Sequence, residues 1–215
     1  MAKLLIASFV AAAALAAGPA PAGARDAELD SWRAADDTTV SAALALGRRA
    51  FDAYAERREV IDPPDNLPPL LRRRAAVFVS AMRDGAPRAC MGTLTPAEPD
   101  AAHEIVASAV AAAGRDRRFP PVKPAELRGL TLIVSIVGSS RPIAAAEIPS
   151  LDPTREGLAA RYAGRFGVVL SRETTRTDRM IAWARIRAGA PTGRHVDYFR
   201  LQDVRFVENE RRPHR

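Results

Sequence analysis

The sequence predicts an α+β fold: a largely antiparallel sheet with packed helices, in one domain that has room for a main lobe and a smaller one. Three observations predict it. Tight-turn signals separate short alternating segments, as β-hairpins require. Helical patterns fall between these segments without the regular strand–helix–strand rhythm of a doubly wound sheet. The 215-residue chain is also long enough to bury a core without staples. None is on offer from disulfides, because Cys90 is the single cysteine.

The elements follow in order. Lys3 precedes an apolar run from Leu4 to Ala17, then Gly18-Pro19 breaks any helix and Ala22-Gly23-Ala24 supplies a small-x-small pattern. Charge, apolar stretch and cleavage pattern in that order predict a signal peptide over 1–24, too short to span a bilayer, and a periplasmic or secreted product without a transmembrane span after cleavage. No cysteine near position 24 allows lipid anchoring. Residues 25–37 read as a polar linker, and 38–208 as the domain, followed by a basic tail over 209–215. Thr38 or Thr39 is placed to cap a helix whose stripe is Val40, Leu44, Phe51 and Tyr54. The proline-rich run Asp62 to Pro69 reads as an extended loop. Ala75 to Met82 is a strand with Val77 and Val79 on one face and Phe78 on the other. Asp84-Gly85 turns it into a second strand, Arg88 to Thr93. Asp100 caps a helix closed by Gly114, with Ile105, Val106, Ala109, Val110 and Ala113 inward. Leu130 to Val137 reads as a central strand, Tyr162 to Leu170 as a hairpin around Gly164 and Arg165, Thr177 to Ala188 as a helix burying Met180, Ile181 and Ala184, and Tyr198 to Val207 as the last strand.

The net charge is +7, which raises the question of a nucleic-acid partner. The arginines are scattered and seldom interleaved with aromatics, which favours a solvated basic surface over a nucleic-acid site. The common catalytic signatures are missing. Gly138-Ser139-Ser140-Arg141 lacks the closing glycine of a nucleophile elbow, and there is no P-loop, dinucleotide fingerprint or zinc-protease pair. His103, His195 and His214 lie far apart, so no metal site and no cofactor are expected.

Three segments carry more information: Pro87-Arg88-Ala89-Cys90-Met91-Gly92-Thr93 after the turn, Asp116-Arg117-Arg118-Phe119-Pro120-Pro121-Val122, and Glu126-Leu127-Arg128-Gly129-Leu130 running into Val134-Ser135. In this order they resemble the hallmark segments of the AMMECR-one domain family, across residues 40 to 207. Pro87 stands where the family has leucine, Ala89 where it has glycine, Arg117 where proline is usual, and Ser171 where proline follows the hairpin. The resemblance implies a diverged member with an α+β domain; it implies no firm biochemical role.

Two functional readings follow. In the first, the segment around Arg88, Cys90 and Thr93 shapes a recognition pocket for a small molecule or protein. Arg88 and Arg118 would clamp a carboxylate or phosphate, Phe119 would supply an apolar wall, and Gly92, Thr93 and Glu126 would complete the site. In the second, Cys90 is a catalytic or redox thiol activated by Arg88 two residues away on one strand face, with Glu126 for acid–base work. Cys90 as a small buried hydrophobe, with Arg88 paired to a carboxylate, is the competing structural reading.

Overall fold

A computed structural model describes residues 22–209; most of the expected signal peptide, and nearly all of the expected basic tail, lie outside the described residues. The chain runs α1 (Ala22–Arg33), α2 (Asp37–Arg57), β1 (Ala76–Arg83), β2 (Ala86–Gly92), α3 (Ala101–Arg115), β3 (Thr131–Ile143), β4 (Glu156–Tyr162), β5 (Arg165–Val169), α4 (Thr177–Ala188) and β6 (Asp197–Val207). The strands form one six-stranded sheet in the order β2-β1-β3-β6-β4-β5, with every neighbouring pair antiparallel. The α+β class read from the sequence is therefore what the chain adopts.

The segment expected to be a linker is largely helix α1. Polar composition concealed two anchors: Leu29 and Trp32 are fully buried, and the Trp32 ring lies 6.4 Å from that of Phe206. Helix α2 is capped by Asp36 rather than by Thr38 or Thr39; its carboxylate accepts the Thr39 N–H at 2.7 Å. Asp100 caps α3 as expected, accepting the His103 N–H at 2.9 Å. Gly114 does not close that helix. It remains inside because the Tyr54 ring crosses it so closely that a Cβ would meet Cε1 at 2.3 Å.

The middle of the sheet also differs in detail from the sequence pattern. Strand β3 continues through Pro142, which is tolerated because β1 pairs only up to Val137 and leaves that side of β3 open. A bulge between Val137 and Ser140 bends the strand there. The second hairpin turns at Ala163-Gly164, both with positive φ, one residue earlier than expected, so Tyr162 pairs with Arg165.

Two cores share one side of the sheet. Helices α1 to α3 cover β1 and β3, with Val204 and Phe206 from β6. Helix α4 packs Met180, Ala184 and Ala188 on Leu158, Ala160 and Val169, with Tyr198 from the same face of β6. Ile181 is only partly buried there. The other face curls on itself, bringing Val168 of edge strand β5 and Leu170 just after it against Ala76, Phe78 and Cys90 near the other edge. That closure positions the candidate site.

Candidate functional site

The Asp84-Gly85 turn folds β2 back on β1 with one irregularity. Ala81 pairs with Ala89 and Met82 with Pro87, so Arg88 is the extra residue of a bulge. Bulges at sheet edges re-aim side chains, and this one separates Arg88 from the thiol expected beside it. The Arg88 guanidinium grips Glu126 side-on, Nε to Oε2 at 2.8 Å and Nη2 to Oε1 at 2.9 Å. Arg83 donates to the same carboxylate at 2.7 Å and the Lys123 N–H at 2.8 Å. The bonds from Arg88, chiefly, hold the Glu126 carboxyl down at about 2 despite partial burial. Such a group is ionised at neutral pH and has no proton to give, so its role here is to clamp rather than to move protons. Nη1 of Arg88 is buried and has no acceptor.

A second ion pair caps the edge strand itself. Arg118 donates to both oxygens of Asp116, at 2.9 and 2.6 Å, and to the Cys90 carbonyl at 3.1 Å. Asp116 in turn accepts the Cys90 N–H at 2.8 Å. Burial pulls the Asp116 carboxyl up, but the bonds from Arg118 and from Cys90 outweigh it and leave the group below its ordinary value. Both backbone groups of Cys90 on the outer edge are thus satisfied by side chains, which closes the edge to other strands. Phe119 lies between the two cations, with Arg88 5.9 Å and Arg118 5.4 Å from its ring centre. Arg117, Pro120 and Pro121 are exposed, so this surface is an open ledge. A separate cleft of about 30 Å³ lies under α1, between Leu29, Trp32, Ala76, Leu94 and Val137.

The Cys90 thiol faces the other way. Ser80 donates to its sulfur at 3.1 Å, and Phe78, Leu170 and Val168 surround it. The residue keeps some exposed surface, yet the sulfur's surroundings are dense. Burial, followed by the Glu173 charge, pushes the thiol up, against smaller opposing contributions from Ser80, Arg118 and Arg187. Arg88, the activator expected from sequence, is turned to Glu126 instead. The imidazoles of His103 and His195 engage Asp100 and Asp197.

Gly92 and Thr93 belong to the frame. A Cβ on Gly92 would meet the Val77 carbonyl at 2.2 Å and the Phe78 Cα at 2.5 Å. Thr93 donates its hydroxyl to Glu104 at 2.6 Å, and Glu104 also accepts the N–H groups of Ala97 and Glu98, both at 2.8 Å. Ala89 lies in regular strand with no positive φ, so the loss of glycine there costs no strain. Sequence reasoning missed Asp116, Ser80, Glu104, Glu173 and Arg187. Asp116 stands two residues before Arg118 and was legible as its partner, and Ser80 faces Cys90 across the hairpin; Glu104 is placed by the packing of α3, and Glu173 and Arg187 reach the thiol only through the curl of the sheet. Among the described residues no group of three His, Cys, Asp or Glu side chains could hold a metal ion.

Comparison with known proteins bears on the family and the fold. The AMMECR1 family profile matches residues 44–207. A Thermotoga maritima protein is 35% identical over 147 residues, covering 66% of this chain and 83% of its own. A Thermofilum pendens protein is 32% identical over 189 residues, covering 77% and 87%. The crystal structure of an uncharacterised Pyrococcus horikoshii protein superposes with a TM-score of 0.68 at 26% identity, over 78% of this chain and 90% of the other. The chain belongs to the AMMECR1 family.

Proposed function

We propose that this protein is an exported binding module that recognises an anionic group, carboxylate or phosphate, on the ledge formed by Arg88, Phe119 and Arg118. The observation that carries the reading is the buried Nη1 of Arg88, a charged donor without an acceptor beside an aromatic ring held between two guanidinium groups. Buried donors are rarely left unpaired, and an incoming oxyanion supplies the missing acceptor. Charge adds support: Arg115, Arg117, Lys123 and Arg128 are exposed on the same segments, so cations outnumber the Asp116 and Glu126 carboxylates and steer anions inward. The alternative, thiol catalysis at Cys90, is weakened by a desolvated sulfur whose pKa is raised rather than lowered.

Export rests on the sequence pattern alone. Cleavage after Ala24 would leave Leu29 and Trp32 in the mature chain, so both anchors of α1 would survive processing. The N-terminal sequence of protein recovered outside the cytoplasm tests this; an uncleaved, cytoplasmic product sinks it. For binding, inorganic phosphate and a short poly-glutamate peptide are titrated while amide shifts around Phe119 are followed by NMR. Saturable shifts in the wild type, weakened about tenfold in Arg88→Lys, which keeps the charge but loses the planar fork, are the expected outcome. Absence of any shift at millimolar probe overturns the reading.

A further inference from the structure

Polar groups collect on the sheet face that carries no helix. Strand register sets Cys90 opposite Ser80, Phe78 opposite Ser135 and Ser135 opposite Arg205, so side chains of these residues share that face. Ser135 is fully buried and its Oγ has no partner; the buried Nε of Arg205 has none either. A purely structural core would be filled here by apolar side chains, since an unpaired buried donor is costly.

The cover over this face is the segment that follows β5. Leu170 fills the space against Phe78 and Val137, with Cys90 at its margin. Ser171 donates its N–H and its hydroxyl to the two oxygens of Asp203, each at 2.9 Å. Arg205 donates to the Ser171 carbonyl. Glu173 accepts the Leu170 N–H at 2.8 Å and pairs with Arg187 at 2.8 Å. Arg172, with φ 60, returns its N–H to Pro153. One apolar plug and a set of polar latches therefore hold the segment, and Arg172, Thr175 and Arg176 are exposed. Its oxygens occupy the cations beneath: the Glu173 carboxylate sits on Arg187 and the Ser171 carbonyl on Arg205.

We infer that Leu170–Arg176 is a displaceable strap whose own oxygens stand in for an external oxyanion, carboxylate or phosphate, at a second site made by Arg187, Arg205 and Ser135. Lifting the strap removes Glu173 and frees donors on both arginines, while Ser135 supplies a hydroxyl that nothing in the closed state uses. Asp203 remains behind as the latch. Lifting also withdraws Leu170 from Cys90, so the thiol reports on the strap without taking part in binding.

The experiment is alkylation of Cys90 by iodoacetamide in the folded full chain, followed by mass spectrometry, with urea below the unfolding transition and with inorganic phosphate as probe. A strap that opens locally gives a labelling rate nearly independent of urea, because little surface is exposed. Phosphate raises that rate, and Ser171→Ala raises it about tenfold by removing one latch without altering charge beside the thiol. Labelling that carries the full urea dependence of global unfolding, or that ignores phosphate, overturns the inference. If Ser171→Ala proves unstable, the urea dependence of the wild type decides alone. The ledge at Arg88 is read separately: phosphate shifts around Phe119 with no effect on labelling overturn only the strap site, and the reverse overturns only the ledge.

Discussion

Glu126→Gln tests the clamp on which the ledge depends. The carboxylate accepts two bonds from Arg88, one from Arg83 and one from the Lys123 N–H. Glutamine keeps a single oxygen and turns an NH₂ group toward two guanidiniums. The fall of the carboxyl from 4.5 to about 2 corresponds to about 3.4 kcal/mol of folding free energy at neutral pH if taken at face value. Part of the side chain remains open to water, and solvent screening reduces the expected loss to about 1–2 kcal/mol.

The pH dependence supplies the sharper test. A carboxyl whose pKa is lower in the folded than in the unfolded chain stabilises the fold fully above the unfolded value of 4.5, and that stabilisation disappears as pH falls toward about 2. Urea unfolding of wild type and variant should therefore differ by the full amount at pH 7 and by well under half of it at pH 3, with an unchanged slope. A variant as stable as wild type at pH 7, or a gap that stays constant down to pH 3, would refute the reasoning, because the clamp would then be a crowded surface pair of no consequence.

The remaining tests address the frame and the thiol. Gly92→Ala forces a Cβ to within 2.2 Å of the Val77 carbonyl, and backbone cannot yield as a side chain tip does; thermal denaturation should register a loss of about 2–4 kcal/mol. Glu104→Ala strips the acceptor from Thr93, Ala97 and Glu98 at a residue that is 1% exposed, with an expected cost of about 3 kcal/mol in urea unfolding. The Cys90 thiol, raised above its ordinary value of 9.0 by burial and then by Glu173, should alkylate more slowly when folded than in urea. Because the folded pKa is the higher one, ionisation favours the unfolded chain as pH climbs past 9.0, so wild type should lose more stability than Cys90→Ala on going from pH 8 to pH 10. Equal losses would place the sulfur in water.

Much of the fold was readable because each element carried a local signal strong enough to survive its context. Asp84-Gly85 and the alternation around it define a hairpin whatever lies nearby, and the Asp100 carboxylate caps α3 by accepting an N–H only three residues along. What escaped were features decided by distant partners. Leu29 and Trp32 sit in a charged stretch with little apolar periodicity, and only the surface offered by Phe206 and the neighbouring strands makes them core. Gly114 looked like a helix stop because glycine closes many helices, whereas the ring of Tyr54, sixty residues earlier, is what demands the missing Cβ. The strand read as ending at Val137 runs on to Ile143, Pro142 included, because the sequence does not say which side of a strand is left unpaired.

The site was legible in its cations and not in their counter-charges, and the asymmetry has a physical cause. An arginine advertises a planar donor set wherever it stands, but whether it is available depends on an acceptor placed by tertiary structure. Arg88 and Arg118 were both identified, yet each has spent two nitrogens on a carboxylate. Glu126 was identified too, as part of the pocket and, in the thiol reading, as a proton carrier, and its surroundings forbid the second role. The cysteine shows the same dependence. An acid and an arginine close to a thiol read as catalytic machinery, while here Asp116 and Arg118 bind the backbone of Cys90 and seal an edge strand. Beyond those structural duties stand the buried atoms without a hydrogen-bond partner: Nη1 of Arg88 on the ledge, Nε of Arg205 with Oγ of Ser135 behind the strap, and, away from both, Nε1 of Trp32 and Nε of Arg200. Buried polar atoms without partners are exceptions in a folded protein, and the two groupings that bring further arginine donors with them, one at the β2 edge and one over β3 and β6, are the ones an oxyanion would complete.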